Sequence, residues 1–336
     1  MPNHRPAVSV IIPAHNAGHT LARTLPVLGR PGRRDFELIV VDDASTDRTS
    51  ALAEKFADRV IRLDGRRGPA EARNAGARMS RGDILFFVDA DVQVRPNAAA
   101  LVARVFGRNP GWDAIFGSYD DRPAETNFLS QFKNLFHHYV HQNTGEKAST
   151  FWAGCGAVRK KAFADVGGFS GTYAVPSIED VELGYRLREK GKTVRLLKEL
   201  QATHLKRWTF CRLVRSDIFG RAIPWTKLAW ARGLPRDLNF RPVDRLSGIL
   251  VWFLPVGLAA AALQPAGAGL AAGAGVLLLI INRPLYRFFL KKRGPVFAAA
   301  AVLWHWFYLL YSSAVFALWT PSCLLRKIIK QKQARG

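Results

Sequence analysis

Two apolar runs of the sequence end in aspartates: Phe36-Glu-Leu-Ile-Val-Val-Asp-Asp43 and Asp83-Ile-Leu-Phe-Phe-Val-Asp-Ala-Asp91. Both runs are apolar at consecutive positions, which is typical of strands that are covered on both faces of a parallel sheet. The spacing around them predicts further strands at 8–12 and 59–63 and helices at 16–28, 46–56 and 69–79. Strands that alternate with helices predict an α/β fold with a mostly parallel sheet flanked by helices.

The aspartates of the two runs are expected to meet at one edge of this sheet. Ligands of such sheets collect beyond the carboxyl ends of the strands. Two acidic clusters at neighbouring strand ends repel each other unless a cation lies between them. A divalent cation bound to a phosphate fits, because Mg²⁺ takes one or two protein carboxylates together with water and phosphate oxygens. The alternative is that Asp42 and Asp43 only cap the helix that follows them.

The charge of the chain is distributed unevenly. Lys and Arg number 49 against 26 Asp and Glu, a formal net charge of +23. The first 182 residues nearly balance, with 23 basic and 21 acidic side chains, whereas 246–282 carry no charge and 283–336 carry ten basic and no acidic residues. The excess positive charge therefore borders an apolar stretch, which indicates a membrane protein and argues against nucleic-acid binding.

The composition shifts predict four regions: an α/β domain at 1–205, a basic amphipathic interfacial linker at 206–245, a membrane region at 246–320 and a basic tail at 321–336. Within the membrane region we expect spans at 246–263 and 266–282 and a third segment, 296–319, that spans or re-enters. The run Gly269-Leu-Ala-Ala-Gly273 provides small residues for close helix packing. A transporter is disfavoured because 246–282 contain no charge.

The cysteines and the first residues bear on localisation. Cys155, Cys211 and Cys323 have neither paired nor metal-type spacing, which suits a reducing compartment. The first apolar run, 8–12, is too short for a cleavable targeting signal. The positive-inside rule favours the cytoplasmic side for two basic stretches, 283–293 and the tail at 321–336. We therefore expect an integral protein of the inner (cytoplasmic) membrane with its α/β domain, the catalytic one if the chain is an enzyme, in the cytoplasm.

Five blocks of sequence together resemble the family 2 glycosyltransferases, which have the GT-A fold. They are Val8-Ser-Val-Ile-Ile-Pro-Ala-His-Asn16, Val41-Asp-Asp-Ala-Ser-Thr-Asp47, Gly68-Pro-Ala-Glu-Ala-Arg-Asn-Ala-Gly76, Asp89-Ala-Asp91 and Glu179-Asp180. The blocks occur in the family's order and cover roughly residues 7–190. Each block alone is a weak pattern, but their combination is specific.

The resemblance implies a donor site for a nucleotide-diphosphate sugar, with UDP or GDP as the nucleotide. It makes Asp43 the acceptor of a hydrogen bond from the nucleobase and places Pro13 and Ala14 along the base pocket. Arg73 is implied at the nucleotide, where a guanidinium suits a diphosphate; the alternative is a solvent-facing helix residue. Asp89 is implied near the ribose or the metal.

The resemblance also implies a divalent metal, Mg²⁺ or Mn²⁺, on Asp91. The metal neutralises the diphosphate leaving group. His204 follows the last strand-like run and is a further metal candidate, although a lone histidine is more often structural. His204-Leu-Lys-Arg-Trp208 is an imperfect copy of the Gln-x-x-Arg-Trp motif of processive synthases in the family.

On the acceptor side the resemblance makes Asp180 the general base, which deprotonates the acceptor hydroxyl for a single in-line displacement. The alternative is that Asp180 caps the helix that begins nearby. Trp152, Gly154 and Glu179 are acceptor-side candidates; a buried core position is an equal alternative for Trp152. The acceptor implied is a lipid or a lipid-linked molecule near the membrane.

Two other functions remain open from the sequence. One is a short processive polysaccharide synthase, which the altered motif and the few apolar segments disfavour. The other is a membrane-anchored signalling or binding protein with a receiver-like domain, because Val40-Val41-Asp42-Asp43 is similar to a receiver's acidic pair. Against it, this pair ends the second strand, and the motif Asp89-Ala-Asp91 is additional.

Overall fold

The computed structural model describes residues 6–29, 32, 35–173, 175–233 and 241–333, without the side chains of 326–328 and 330–333. Most of the predicted basic tail at 321–336 therefore lies outside the described side chains. The chain divides into two compact units, Met1–Arg207 and Trp208–Gly336.

The first unit contains an eight-stranded sheet. Its strands are β1 Val8–Ala14, β2 Glu37–Asp42, β3 Arg59–Arg62, β4 Ile84–Val88, β5 Val92–Val94, β6 Ala114–Tyr119, β7 Cys155–Arg159 and β8 Val194–His204. The strand order is β3-β2-β1-β4-β7-β6-β8-β5. Its helices are α1 Gly18–Leu28, α2 Thr49–Ala53, α3 Pro69–Met79, α4 Ala98–Arg108, α5 Phe128–Gln142, α6 Lys160–Asp165 and α7 Glu179–Glu189.

The sheet is parallel in its first half and mixed in its second. The pairs β3-β2, β2-β1 and β1-β4 are parallel, as the alternation of strands and helices predicts. β7 then runs antiparallel to both β4 and β6, and β5 runs antiparallel to β8, while β6 and β8 are parallel. The antiparallel pairing of β5 with β8 brings the end of β8 to the residues that follow β4.

Both faces of the central strands are buried, as their apolar sequences predict. Phe86 and Phe87 are adjacent in β4 and therefore point to opposite faces, yet both are fully buried. The ring of Phe87 packs against Phe163 and Phe169, with centroids 5.5 and 5.1 Å away. Burying each phenylalanine contributes about 1.5–3 kcal/mol to stability.

The second unit is helical. Its elements are α8 Phe210–Arg215, a π-helical segment Ser216–Ala222, α9 Ile223–Arg232, α10 Pro242–Leu250, α11 Phe253–Ala261, α12 Ala266–Ile281 and α13 Arg283–Gln333, which is kinked at Gly294. The buried carboxylate of Asp217 in the π-helical segment accepts a hydrogen bond from Tyr311 Oη at 2.9 Å. This bond ties the segment to α13.

Two helical stretches of the described residues are long and apolar enough to cross a membrane: Pro242–Ala261 and Arg283–Leu325. The expected span at 266–282 forms a shorter apolar helix of 16 residues, α12. Such a helix rises about 24 Å, which is less than the roughly 30 Å thickness of a bilayer core. The expected third segment, 296–319, lies inside the longer of the two stretches.

Close helix packing in this unit occurs at glycines other than those expected. Nothing lies within 4 Å of a Cβ added to Gly269 or Gly273. A Cβ on Gly257 of α11 would instead lie 2.6 Å from the Ala271 nitrogen of α12, and one on Gly267 would meet the backbone of Ala261. The small-residue pattern thus identified the right helix but the wrong glycines, since Gly269 and Gly273 lie on its open side.

Candidate active site

The two aspartates at the end of β2 have different partners. The Asp42 carboxylate is fully buried and accepts hydrogen bonds from the Ser45 backbone N–H at 2.9 Å and from Ser50 Oγ at 2.7 Å. These bonds fix the turn that leads toward α2, but neither bond is to a backbone N–H of that helix, so Asp42 is a turn residue and does not cap α2.

Asp43 fixes the loop that leads into α3. Its two carboxylate oxygens accept the backbone N–H groups of Arg67 and Gly68 at 2.6 and 2.8 Å. Its own N–H donates to the Ala14 carbonyl at 2.8 Å, which places it beside the end of β1. Ala14 is buried and Pro13 is half-buried. Contact of these three residues with a nucleobase stays a prediction.

Asp91 and His204 are brought together by strand pairing. Val92 of β5 lies opposite His204 of β8, and Leu205 N donates to the Asp91 carbonyl at 2.8 Å. His204 Nε2 lies 3.7 Å from Asp91 Oδ2, and the Asp91 side chain is 29% exposed. Burial acts to raise the pKa of Asp91, but His204 and the charge of Lys206 lower it to about 2.

The imidazole of His204 is held by an aromatic stack. Its ring lies flat on Tyr119, with centroids 4.4 Å apart and planes 13° apart. The Trp152 ring meets the Tyr119 ring edge-on, with centroids 4.8 Å apart. His137 packs on both Tyr119 and Trp152 at 4.5 and 5.0 Å. Tyr119 is not among the candidates singled out from the sequence, and its position at the end of β6 is the signal that could have found it.

The backbone of residues 152–154 connects three parts of the site. Ala153 N donates to Asp180 Oδ2 at 3.0 Å, and the Gly154 carbonyl accepts the Asp89 N–H at 3.2 Å. A Cβ on Gly154 would lie 2.6 Å from the Trp152 indole nitrogen, so glycine is needed for the ring to lie over this backbone. The acceptor-side candidates and the Asp89 loop are therefore one connected structure.

Asp180 lies in the first turn of α7, beside the buried Glu179. Burial and then the Glu179 carboxylate raise the pKa of Asp180 to about 7, although Arg73 and the N–H groups of Ala153 and Val181 lower it. A carboxylate with its pKa near 7 is suited to accept a proton at neutral pH.

Arg73 bridges the two acidic regions. Its Nη2 donates to Asp89 Oδ1 at 2.6 Å and its Nη1 donates to Glu179 Oε1 at 2.9 Å. The Arg73 side chain is only 5% exposed, so the alternative of a solvent-facing helix residue is wrong. Its predicted contact with the nucleotide stays a prediction.

The described residues suit a divalent cation that shares its ligands with a phosphate. No group of three or more His, Cys, Asp and Glu side chains converges on one point within the described ranges. Asp91 and His204 form a pair with a partly exposed carboxylate. A hard cation that keeps water and phosphate oxygens needs only such a partial set of protein ligands, so the residues present fit Mg²⁺ or Mn²⁺.

The sequence of this domain matches the model of a known protein family. The family model described as "Glycosyl transferase family 2" matches residues 9–167. Residues 9–167 are a family 2 glycosyltransferase domain. The match covers β1 to β7 and includes Asp43, Arg73 and Asp91, whereas Asp180 and His204 lie beyond it.

Several curated glycosyltransferases are similar in sequence to this chain. An uncharacterized glycosyltransferase of Haemophilus influenzae is 29% identical over 195 residues, which are 54% of this chain and 62% of the relative. A validoxylamine A glucosyltransferase of Streptomyces hygroscopicus subsp. jinggangensis is 27% identical over 239 residues, 60% of this chain and 57% of the relative. The chain thus spans about three fifths of the length of these curated relatives.

The glycosyltransferase domain and the helices that follow it are also similar to a solved structure. The mannosyltransferase PcManGT of Pyrobaculum calidifontis, solved with GDP-Man and Mn²⁺, has a TM-score of 0.59 and 22% identity, with 90% of this chain and 89% of that chain covered. At this identity the likeness concerns the fold, which is the GT-A fold expected from the sequence.

Proposed function

We propose that this chain is a membrane-associated inverting glycosyltransferase that moves a sugar from a nucleotide-diphosphate sugar to a lipid-linked or membrane-proximal acceptor. The observation that carries the proposal is the connection through residues 152–154, which joins a carboxylate with a raised pKa, Asp180, to the loop of Asp89 and Asp91. A donor-side carboxylate loop and an acceptor-side base are what a single displacement at a sugar carbon needs.

On the donor side, Asp43, Pro13 and Ala14 would line the base pocket, and Asp91 with His204 would hold the divalent metal. Bound there, the metal supplies positive charge for the diphosphate leaving group. PcManGT contains GDP-Man and Mn²⁺, which supports a nucleotide-sugar donor here. A Mg²⁺ or Mn²⁺ ion and either UDP or GDP are compatible with these residues.

On the acceptor side, Asp180 takes the proton of the acceptor hydroxyl. The acceptor oxygen then forms a bond to the anomeric carbon, the bond from that carbon to the diphosphate oxygen breaks, and the configuration inverts. Trp152 presents a large aromatic surface within the same connected structure, which is suited to stacking on a sugar or on a lipid-linked group.

The membrane association rests on the second unit. Among the described residues, the exposed large apolar side chains lie almost all after residue 207; Met79 and Val175 are the exceptions in the first unit. Exposed Arg212, Arg215 and Arg221 stand beside exposed Phe210 and Phe219 in the predicted interfacial linker, a combination suited to anionic lipid headgroups. The basic residues after 282 favour the cytoplasmic side of the inner membrane for that end of the membrane region.

The proposal is tested by calorimetric binding of UDP and of GDP to the detergent-purified chain, with and without Mn²⁺. We expect one nucleotide to bind with Mn²⁺ and Asp91→Asn to abolish that binding, while Asp35→Asn, an exposed aspartate before β2, leaves it unchanged. If neither nucleotide binds in the presence of Mn²⁺, the proposed UDP- or GDP-sugar donor site is wrong.

A further inference from the structure

Arg73 occupies an unusual place for a residue in a predicted nucleotide site. It lies near the middle of α3 and its guanidinium bridges Asp89, which follows β4, and Glu179, which begins α7. The Arg73 and Glu179 side chains are each only 5% exposed. The bridge therefore joins the donor-side loop to the acceptor-side helix inside the protein.

The neighbour of Arg73 in sequence holds the bridge in place. Asn74 Nδ2 donates to the Phe169 carbonyl and Asn74 Oδ1 accepts the Phe169 N–H, both at 2.9 Å. The Phe169 ring in turn lies 5.3 Å from the Arg73 guanidinium carbon, within cation–π distance. The turn before Phe169 has Gly168 at φ +70°, where an added Cβ would lie 2.7 Å from Asn74 Oδ1. The Arg-Asn pair thus acts as a unit, with Asn74 placing the ring that packs on Arg73.

Three carboxylates surround the guanidinium. Burial acts to lower the pKa of Arg73, but Asp89, Glu179 and Asp180 hold it above its usual value. Glu179 raises the pKa of Asp180, and Arg73 lowers it. Without a cation at this place, the carboxylates would repel one another. α7 would then keep only the backbone of residues 152–154 as its link to the Asp89 loop.

We propose that Arg73 is a positioning residue, which fixes the position of Asp89 relative to the Glu179–Asp180 pair. It acts through these carboxylates and does not bind the nucleotide. The inference rests on the proposed function, since Asp180 is the base of that reaction. A planar guanidinium can make two hydrogen bonds in a fixed geometry, whereas a lysine ammonium is a point charge that cannot reproduce the fork.

The alternative role for Arg73 is direct contact with the nucleotide, and one atom of its guanidinium is available for such a contact. The Arg73 Nε–H is buried and has no hydrogen-bond partner among the described residues. If a ligand reached this atom, Arg73 would contribute to nucleotide affinity. Substitution of Arg73 therefore distinguishes the two roles: a nucleotide contact would lower the affinity for the nucleotide, whereas a positioning role would lower kcat.

The experiment compares Arg73→Lys and Arg73→Gln with wild type in the full-length chain. A matched control is Arg78→Lys, which changes an exposed arginine of the same helix that pairs with Glu71. We expect Arg73→Lys to keep its affinity for the nucleotide within about threefold and to lose about 10²-fold in kcat, as a small misplacement of reacting groups does. In Arg73→Gln the pKa of Asp180 should rise, because Glu179 still raises it while the lowering effect of the Arg73 charge is gone. The acidic limb of the plot of kcat against pH should therefore move to higher pH.

Hydrogen exchange provides a readout that needs no turnover. In Arg73→Lys the amides of 177–182 should exchange about tenfold faster, since the start of α7 opens locally, while thermal unfolding confirms that the variant is folded. The inference is overturned if nucleotide affinity falls in parallel with kcat, or if exchange at 177–182 does not change. If wild type turns over no donor, the proposed function fails, and the exchange result still decides whether Arg73 holds α7.

Discussion

His204 Nε2 lies 3.7 Å from Asp91 Oδ2, although one residue ends β8 and the other follows β4. The antiparallel pairing of β5 with β8 produces this approach, and the flat stack of Tyr119 on His204 keeps the imidazole in place. A carboxylate and an imidazole at this separation can share one cation only if the remaining ligands come from water or from the donor.

His204→Ala should therefore weaken metal-dependent nucleotide binding by about tenfold. Calorimetric titration of the nucleotide at several Mn²⁺ concentrations measures the effect, and His19→Ala, an exposed histidine of α1, is the control. Equal affinity of His204→Ala and wild type at every Mn²⁺ concentration would show that His204 is structural.

The pH dependence of turnover should report Asp180. Its pKa of about 7 means that the carboxylate form, the one able to accept a proton, is lost as the pH falls below that value. We expect kcat/KM to rise with pH through about 7 and then level off. Nucleotide release measured across this range tests it, and Asp180→Asn should reduce turnover at every pH while still binding the nucleotide. A profile that is flat through pH 7 in wild type would exclude Asp180 as the base.

Gly154→Ala should disturb the connection between Trp152 and the acidic loop. The added Cβ would lie 2.6 Å from the Trp152 indole nitrogen, and overpacking of this kind costs about 1–3 kcal/mol. Urea unfolding measures the loss. Gly107→Ala provides the comparison, because nothing lies within 4 Å of its added Cβ in α4 and alanine favours a helix over glycine. Identical midpoints for wild type and Gly154→Ala would mean that the indole moves aside at no cost.

The orientation of the membrane region can be tested by cysteine labelling. In a chain without Cys211 and Cys323, Gln264→Cys between α11 and α12 should react with a membrane-impermeant thiol reagent in intact cells. Arg283→Cys should react only after lysis, because the basic residues that follow α12 favour the cytoplasmic side. Labelling of Arg283→Cys in intact cells would reverse the proposed topology.

Local sequence patterns were enough to predict the strands and helices in the first half of the sheet and to identify the charged residues of the candidate site. The predicted helix at 69–79 is α3 residue for residue, and the buried strands at 8–14, 37–42 and 84–88 lie where their apolar runs predict them. Consecutive apolar residues report burial on both faces wherever the strand is placed. The two long apolar helical stretches, Pro242–Ala261 and Arg283–Leu325, also follow from composition, although which glycines pack was not visible from their spacing.

The amino-acid sequence by itself determined the α/β class, the acidic residues at the strand ends and the positive charge around the apolar segments, because each is a property of neighbouring residues. Only the tertiary structure decided that Asp42 closes the turn at Ser45 while Asp43 holds the loop before α3. It also placed Tyr119 on His204 and the Arg73 guanidinium between Asp89 and Glu179. These contacts join segments far apart in the chain, and their partners are chosen by the packing of the whole sheet and its helices, which no local pattern records.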